Sequence, residues 1–360
     1  MKIKSIFVEN FKVLKSFKID FTNNAVINPI TILAGINGSG KTTLLEFIYE
    51  TFKKEPAIPN VSKNKKSYIE IEEAKLFGDA PDELYFHLTS EFLKNQKNKF
   101  AFNLSEKIHY YKASEENVSA KKIITDYIDE LIYEKDIKSS EAYDKIRKSL
   151  NETLSAINLQ VEFSKLDKDK EIYFKNQQSD EIKLSDLSGG EKEIITKVFP
   201  LFISPIKDSI ILIDEPESSL HPNWQNEIIG LYKIIAQKNN NQIIIATHSP
   251  HIVSAVENKY VKVLVKENDA IKVIDISSKS FGRKVDEILL DIFKVKGLRT
   301  PIIETKLTKL KDLLFQNQMH TEDFNNLLNE LENSIGKFDS DLAMIRLEIL
   351  KRKKENEANK

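Results

Sequence analysis

The segment that decides the fold is ITILAGINGSGKTTLLEF, residues 30–47, whose centre GINGSGKT at 35–42 has the pattern G-x-x-x-x-G-K-[ST]. A short apolar run at Ile30–Leu33 precedes the glycines, and Leu44–Phe52 follows them with helical spacing. A strand, a glycine loop and a helix in this order are typical of a phosphate-binding loop. Glycines let backbone N–H groups turn toward a phosphate, and the start of the helix adds its positive end.

The other residue types in this loop suit a nucleoside triphosphate and its metal ion. Lys41 can place a positive charge on the β and γ phosphates, and the hydroxyl of Thr42 can ligate Mg²⁺. We therefore expect ATP and Mg²⁺ as cofactors. A glycine turn before a helix, with no ligand, is the alternative. The remaining residues expected to contact the nucleotide are Gly35, Asn37, Gly38, Ser39, Gly40 and Thr43.

A second motif, SIILIDEPE at residues 209–217, joins an apolar strand to acidic residues. In open α/β sheets ligands bind at the carboxyl ends of the strands, where these carboxylates would lie. Asp214 is expected to hold Mg²⁺ through water, and Glu215 to polarise the attacking water as the general base. A strand that ends in a solvated acidic turn is the alternative reading of this motif.

Two further motifs are LSGGE at 187–191 and ATHSP at 246–250. Ser188, Gly189 and Gly190 expose backbone donors at the start of a helix, which makes an anion-binding surface. A plain N-cap closed by Glu191 is the alternative for this segment. His248 follows an apolar strand, so it would lie at the same sheet edge as the acidic pair. There its imidazole can donate a hydrogen bond to a phosphate oxygen.

Hydrophobic periodicity around these motifs predicts an α/β fold. Apolar runs at Ile210–Ile213 and Ile243–Ala246, separated by a helix from about Asn223 to Gln237, are typical of a buried parallel sheet. Residues 2–34 alternate as strands, whereas the sequence from Phe281 onward is helical, highly charged and expected to become irregular in its last ten residues. Between the motifs we expect strands at Tyr68–Ile71, Leu84–Leu88 and Phe100–Asn103, a helical pair within 118–158, and a hairpin of Val161–Phe163 with Ile172–Phe174.

The composition is that of a globular protein with a charged surface. Of 360 residues, 54 are Lys or Arg and 55 are Asp or Glu, which gives a formal net charge of −1 and by itself indicates no nucleic-acid or membrane partner. Cysteine is absent, which excludes disulfides, thiolate zinc ligands and cysteine nucleophiles. No segment approaches the roughly 20 apolar residues that cross a bilayer, and the N-terminus lacks a signal-peptide core. We therefore expect a cytoplasmic protein with no membrane partner.

Taken in order, the four motifs resemble the Walker A, signature, Walker B and switch-histidine motifs of ABC-type ATPases. The segments VENFKVLKSFKIDF at 8–21 and DEPESSLHP at 214–222 are similar to the SMC/RecF/OLD branch of that family. The resemblance implies that two ATPase domains meet head to tail, so that Ser188, Gly189 and Gly190 of one copy contact the γ-phosphate held by another. It also implies that Lys12, with its neighbours in the sequence NFK, lies near the nucleotide.

The same resemblance implies an ABC-type P-loop core with a mixed sheet, an inserted α+β lobe and a C-terminal helical region. The predicted boundaries are 1–55 and 180–275 for the discontinuous core, 56–179 for the lobe, 280–350 for the helical region and 351–360 for a charged tail. Two features depart from the family pattern. The Q-loop glutamine has no clear position, with Gln96 a poor candidate, and His221 stands where transporters carry Asp.

The sequence also limits what this ATPase could do. About 145 residues separate the phosphate loop from the signature, too few for the long coiled coil of SMC proteins, and no TOPRIM, HNH or zinc pattern indicates a nuclease. FGRKVDEILLDIFKVKGLRTP at 281–301 resembles the stand-alone anti-phage ATPases of Septu and retron systems. That implies a homodimer or higher oligomer with a separately encoded effector nuclease, and leaves DNA as a possible partner. A RecF-like DNA clamp and a transporter ATPase are the alternatives, and residues 300–350 could be either a helical cap or a partner surface.

Overall fold

The structure is a computed structural model of the whole chain. It describes residues 1–53, 67–72, 74–77, 85–88, 104–112, 120–156, 161–167, 169–176, 180–203, 206–218, 220–268, 270–276, 280–295 and 297–358, together with Leu159 and Gln178. The predicted strand at Phe100–Asn103 and the candidate Gln96 lie outside these residues.

The described residues form strands and helices in the order expected of an α/β protein. The strands are β1 (Ile3–Phe11), β2 (Leu14–Asp20), β3 (Thr22–Asn23), β4 (Val26–Ile27), β5 (Ile30–Ala34), β6 (Tyr68–Ile71), β7 (Ala74–Phe77), β8 (Tyr85–Leu88), β9 (Ile108–Lys112), β10 (Val161–Leu166), β11 (Ile172–Asn176), β12 (Glu181–Lys183), β13 (Ile210–Asp214), β14 (Gln242–Thr247), β15 (Val261–Glu267) and β16 (Ala270–Asp275). The α-helices are α1 (Lys41–Lys53), α2 (Ala120–Asp129), α3 (Ser139–Ala156), α4 (Gly189–Ile203), α5 (Pro222–Lys238), α6 (Pro250–Ser254), α7 (Val285–Asp291), α8 (Pro301–Phe315), α9 (Glu322–Ile335) and α10 (Ser340–Ala358).

A mixed sheet lies at the centre of the N-terminal part, with the strand order β16-β15-β5-β14-β13-β9. Strands β15, β5, β14, β13 and β9 are parallel, and β16 is antiparallel to β15. The predicted mixed sheet is therefore confirmed. Strand β14 lies between β5, which leads into the glycine loop, and β13, which ends in the acidic pair. The glycine loop, the acidic pair and His248, which follows β14, therefore lie at one edge of the sheet.

The apolar runs of the sequence follow from burial of this sheet on both faces. On β14, Ile243 and Ile245 join one apolar cluster, while Ile244 and Ala246 join the other. The same division separates Ile211 and Ile213 of β13 from Ile210 and Leu212. Because neither face meets water, alternation disappears and the strand is a continuous run of aliphatic residues. This is the physical basis of the pattern that predicted a parallel sheet.

A second sheet, of order β2-β1-β6-β7-β8, shares one of these clusters with α1. Its strands are antiparallel, and Val8, Leu14 and Phe17 pack with Phe47 of α1. The predicted strands at 68–71 and 84–88 are confirmed as β6 and β8. This sheet covers α1, the helix whose first turn follows the glycine loop.

The inserted segment contains the predicted helical pair and hairpin. Helices α2 and α3 form the pair, and β10 and β11 are antiparallel as expected. Their apolar residues do not form a separate core, since Ile128 and Leu150 pack in the same cluster as Ile195 and Val198 of α4. The segment is thus continuous with the core beside the signature helix, and the predicted boundaries of the lobe remain a prediction.

Residues Lys294–Lys360 form a compact unit of their own, distinct from Met1–Phe293. Its three helices, α8 to α10, enclose a small core that includes Leu310, Leu331 and Leu342. The last ten residues are expected from their sequence to be irregular. For residues 351–358 this expectation is wrong, because α10 continues to Ala358. In the part of the chain that the structure describes, no helix has the length and apolarity needed to span a membrane.

Candidate functional site

The glycine loop at 35–42 has the backbone of an anion cradle. Gly38 and Gly40 have φ angles of 78° and 86°, a region that favours glycine. A Cβ at Gly35 would lie 2.5 Å from the carbonyl oxygen of Leu264 and 2.6 Å from Oγ of Ser39, so this position is closed to any larger residue. The loop ends at the first residue of α1, whose free N–H groups and dipole favour a bound anion.

Lys41 lies inside the loop with its ammonium group held by the loop's own carbonyls. Its Nζ donates to the carbonyl oxygens of Gly35 at 2.8 Å and Ile36 at 3.0 Å. Burial lowers the pKa of Lys41, and the nearby carboxylates of Glu215, Asp214 and Glu217 oppose that effect. A phosphate is the ligand that such a desolvated cation would favour.

Asp214 ends β13 and faces two hydroxyl groups. Thr42 Oγ1 donates to its Oδ1 at 3.2 Å, and the Tyr110 hydroxyl donates to its Oδ2 at 3.3 Å. Burial raises the pKa of Asp214, with the hydrogen bond from Thr42 opposing the shift, the charge of Glu215 adding to it and the bond from Tyr110 opposing it. A divalent cation bound here would favour the charged form of this carboxylate and so oppose the effect of burial on its pKa.

The next residue, Glu215, adopts a φ of 51°, in the left-handed region that is unfavourable for a side chain with a Cβ. Its Oε1 lies 3.1 Å from Nδ1 of His248, and Oε1 of Glu217 lies 3.4 Å from the same nitrogen. The structure thus brings the predicted base and the predicted switch histidine into contact. Strained backbone at such a position is typical of functional sites.

Glu217 is a site residue that the motif analysis did not single out. Only 5% exposed, it accepts hydrogen bonds at Oε1 from the Thr247 hydroxyl at 2.7 Å and the His248 amide at 2.9 Å. Its Oε2 is buried and has no hydrogen-bond partner among the described residues. Glu217 therefore fixes the end of β14 and the backbone of His248 to the loop that follows β13.

Tyr110 is a second residue that the sequence did not reveal. Strand β9 pairs with β13 so that Tyr110 lies beside Leu212 and Lys112 beside Asp214. The motifs give no signal for it, because the sequence IHYYK has the composition of any half-buried strand. Only the pairing of β9 with the acidic strand could have indicated its place.

Lys12, predicted to lie near the nucleotide, is in the turn between β1 and β2 with a φ of 50°. Its Nζ lies 2.9 Å from Oε2 of Glu46, one turn beyond Thr42 on α1, and Lys112 Nζ lies 3.9 Å from the other oxygen of Glu46. The hydrogen bond to Glu46 raises the pKa of Lys12. Lys12 is therefore placed beside the phosphate-loop helix, and its contact with a nucleotide remains a prediction.

The signature segment forms a capping box, the alternative to an anion-binding surface in the sequence analysis. The Glu191 amide donates to Oγ of Ser188 at 3.3 Å, and the Ser188 amide donates to Oε2 of Glu191 at 2.8 Å. The capping role leaves the hydroxyl proton of Ser188 available, since a serine oxygen can accept and donate at once. Ser188 and Gly189 are exposed, and the side of Gly189 that would carry a Cβ faces open space. Capping and binding a phosphate of another molecule are thus compatible.

The residues present fit ATP and Mg²⁺. Ser39 Oγ is buried without a hydrogen-bond partner among the described residues, in the loop where the phosphates would lie. The hydroxyl of Thr42 and the carboxylate of Asp214 are the oxygen ligands that Mg²⁺ prefers, and they are adjacent. Asn37 and Gly38 are exposed, and Thr43 lies in the first turn of α1 beside Thr42. The assignment of nucleotide contacts to these residues stays a prediction.

Residues 53–254, more than half of the chain, match the family described as AAA domain, putative AbiEii toxin, Type IV TA system. The chain belongs to this family. The matched segment contains the signature, the acidic pair and His248, and it begins after the glycine loop. The family description names an AAA domain, which agrees with the ATPase fold that the motifs predict.

Among curated proteins, the retron Ec83 probable ATPase of Escherichia coli is 30% identical over 187 residues, 48% of this chain and 33% of that protein. The Septu protein PtuA of Bacillus thuringiensis is 34% identical over 111 residues, 30% of this chain and 28% of that protein. The PtuA of Bacillus mycoides is 27% identical over 294 residues, 74% of this chain and 41% of that protein. These alignments cover less than half the length of each relative. They confirm the resemblance to Septu and retron ATPases.

Among solved structures, the SMC head domain from Thermotoga maritima is similar, with a TM-score of 0.49, 20% sequence identity, and coverage of 77% of this chain and 100% of that one.

Proposed function

We propose that this chain binds ATP with Mg²⁺ and hydrolyses it at a site completed by a second copy, as the ATPase subunit of an anti-phage defence complex. The observation that carries the ATPase assignment is the convergence of Lys41, Asp214, Glu215 and His248 at one sheet edge. The relatives named as retron and Septu proteins support the defence role. A separately encoded effector nuclease is the partner that the resemblance to Septu and retron ATPases implies.

The chain's own side chains suggest how the reaction would proceed. Lys41 would leave its two carbonyl partners to bind the β and γ phosphates of the substrate. Glu215, which has a left-handed backbone and lies beside His248, would accept a proton from the attacking water. His248, now bonded to Glu215, would donate to a γ-phosphate oxygen and so connect the phosphate to the base. Bound Mg²⁺ would neutralise charge on the phosphate oxygens, held through Thr42 and Asp214.

The role proposed for a second copy is supported by the exposure of the signature residues Ser188 and Gly189, for which the described residues provide local capping contacts. A helix N-terminus with exposed N–H groups binds a phosphate without further adjustment. Head-to-tail association would bring this surface to the phosphate loop of the other copy. Hydrolysis would then be possible only in the assembled state, which would give the partner effector a signal.

The assignment is tested by measuring ATP turnover of the purified chain with Lys41→Ala and Glu215→Gln variants. We expect Glu215→Gln to bind ATP and lose roughly two or more orders of magnitude in turnover, as expected for removal of a general base. Lys41→Ala should lose both binding and turnover. Glu257→Gln, at an exposed acidic residue that is ion-paired with Lys259, is the matched control and should retain wild-type turnover.

Robust turnover that survives both substitutions would show that the catalytic assignment is wrong. DNA binding that requires ATP and weakens steeply with salt would instead favour the alternative of a RecF-like clamp.

A further inference from the structure

The only tryptophan of the chain, Trp224, packs against the signature helix. It lies half-buried in the first turn of α5, and its six-membered ring fills the space beside Gly190 in the first turn of α4. A Cβ built on Gly190 would overlap Cζ3 of the ring and lie 3.1 Å from Cε3. Gly190 is therefore glycine because Trp224 occupies the place of its side chain, in contrast to Gly189, which faces open space.

The first turn of α5 also forms hydrogen bonds with Leu220 and His221, in the loop that follows the acidic pair. Nδ1 of His221 accepts from the Asn223 amide and caps the helix, and the His221 ring meets the Trp224 ring edge-on with centroids 6.3 Å apart. Nε2 of Gln225 donates to the carbonyl oxygen of Leu220 at 2.9 Å. Trp224 thus contacts the signature on one side and the end of the Walker B loop on the other.

The first turn of α5 also reaches the switch histidine. The Ser249 hydroxyl donates to Oε1 of Gln225 at 2.6 Å, and Ser249 directly follows His248 and caps α6. From Gly190 the contacts therefore run through Trp224 and Gln225 to the residue beside His248. The Trp224 ring packs on Gly190, the helix backbone joins Trp224 to Gln225, and a short hydrogen bond joins Gln225 to Ser249. Well-packed interiors transmit small displacements instead of absorbing them.

We propose that Trp224 is a positioning residue that couples the signature segment to the Glu215–His248 pair of the same chain. This inference rests on the proposed function, in which the signature of one copy contacts ATP held by another. When that contact shifts Gly190, the Trp224 ring cannot stay in place, because no space separates the two. The first turn of α5 then moves with it, and through Gln225 and Ser249 this adjusts His248. Contact of the signature with the other copy's nucleotide in this way changes the position of the chain's own Glu215–His248 pair.

A simple alternative is that residue 190 is glycine only to let a phosphate approach. The two explanations differ in what a second substitution can repair. An added methyl at Gly190 that clashes with Trp224 is relieved by shortening Trp224. An added methyl that obstructs a phosphate is not relieved by any change at Trp224.

The experiment compares the wild type with Gly190→Ala, Trp224→Leu and the double variant. Gly230→Ala is the matched control, since Gly230 is an exposed glycine of α5 with nothing near its missing Cβ. ATP binding is measured with a fluorescent ATP analogue, ATP-dependent self-association by analytical ultracentrifugation, and turnover by phosphate release. Because the wild type contains a single tryptophan, its emission and its quenching by acrylamide report on the surroundings of Trp224.

We expect wild-type emission to change with ATP, and not with ATP added to Lys41→Ala. Gly190→Ala should retain ATP binding but lose self-association and turnover by about tenfold, the usual size of an overpacking effect. Trp224→Leu should retain ATP binding and self-association but lose turnover by a similar factor, since the signature is then uncoupled from His248 and Glu215. The double variant should associate like Trp224→Leu alone, and Gly230→Ala should match the wild type.

The inference is overturned if the tryptophan emission of the wild type does not change when ATP is added, although ATP still drives self-association and turnover. It is also overturned if the double variant associates no better than Gly190→Ala, or if Trp224→Leu turns over ATP like the wild type. A wild type that neither associates nor hydrolyses ATP would overturn the proposed function, and this inference with it.

Discussion

At the scale of single residues, the carboxylate of Asp214 is fixed from both sides by hydroxyl groups. Thr42, expected to be a metal ligand, bonds one oxygen, and Tyr110 bonds the other. Tyr110 itself is held by neighbours, since its ring lies edge-on to Tyr49 at 5.4 Å and Lys112 Nζ lies 4.9 Å from its centroid. The carboxylate is therefore oriented before any metal ion arrives, which reduces the cost of binding.

We predict that Tyr110→Phe raises the Mg²⁺ concentration needed for tight ATP binding without affecting metal-free binding. A hydrogen bond to a charged group contributes about 1.5–3 kcal/mol, and because this bond is present before the metal binds, only the part that orients the carboxylate affects affinity, so the rise should be at most roughly tenfold. The measurement is titration of a fluorescent ATP analogue with and without Mg²⁺. Tyr111→Phe is the control: burial raises the pKa of Tyr111 to about 12, and this tyrosine packs on the opposite face of β9. Equal Mg²⁺ dependence in Tyr110→Phe and wild type would contradict the prediction.

Glu217 lies in an acidic motif, but its role in the structure is to hold the end of β14 through hydrogen bonds. Its buried carboxylate accepts from the Thr247 hydroxyl and the His248 amide, both at the end of β14. We predict that Glu217→Ala lowers the free energy of unfolding by about 1–3 kcal/mol, because buried donors lose their acceptor. Urea unfolding without nucleotide measures it. Glu215→Gln is the comparison and should cost less, since Glu215 is partly exposed; equal midpoints for Glu217→Ala and wild type would disprove this role.

At the scale of elements, the C-terminal helices are joined by a cluster of charges. Arg299 Nη2 lies 2.8 Å from Asp339 and 2.9 Å from Asp341, and Lys311 Nζ of α8 lies 2.8 Å from Asp341 at the start of α10. The hydrogen bond from Lys311, together with Arg299, lowers the pKa of Asp341. Stability from a carboxyl whose folded pKa is depressed is present above its unfolded pKa, near 3.9, and is lost as pH falls through the folded pKa.

We predict that Asp341→Asn destabilises the chain at neutral pH and that the difference from wild type disappears as pH falls below about 4. Urea unfolding followed by circular dichroism between neutral and acidic pH provides the measurement. Asp312→Asn, at an exposed position on α8, is the control. Its stability should differ little from that of the wild type, and the difference should not depend on pH in this way. A pH-independent difference for Asp341→Asn would show that its charge is not what matters.

Sequence patterns revealed the elements of this molecule better than the contacts between them. The aliphatic runs of β13 and β14 could be recognised because burial on both faces leaves no polar alternation, and the glycine loop because its backbone allows few sequences. Tyr110 and Trp224 could not be found in this way. Each acts through a residue far away in the chain, Asp214 and Gly190, and only strand pairing or helix packing brings them together. The helical end of α10 was missed because charge alone does not prevent a helix from continuing.

At the scale of the whole molecule, the central proposal is that each ATP site is shared between two copies. Lys41 and the exposed signature residue Gly189 would then act on the same nucleotide from different chains. The backbone at Gly189 faces open space, so a carboxylate can be introduced there without a clash. Gly189→Asp places a negative charge at a helix N-terminus, which favours the helix but repels a phosphate. We therefore expect Gly189→Asp to fold but to lack the contact between its signature and the γ-phosphate held by the other copy.

We predict that Lys41→Ala and Gly189→Asp are each inactive alone and active when mixed. A mixed pair has one site with both defects and one site with an intact phosphate loop facing an intact signature. Random pairing makes half of the pairs mixed, and each mixed pair has one intact site, so an equimolar mixture should reach at most about a quarter of wild-type turnover at the same total concentration. It should reach about tenfold less than that if the proposed coupling through Trp224 also operates, because the signature of the chain that holds ATP is then not engaged. The double variant Lys41→Ala/Gly189→Asp, mixed with the wild type, is the control: its mixed pairs have no intact site, so it can only dilute activity. If the loop and signature acted within one chain, the mixture of single variants would stay as inactive as its components, and the shared site would be refuted.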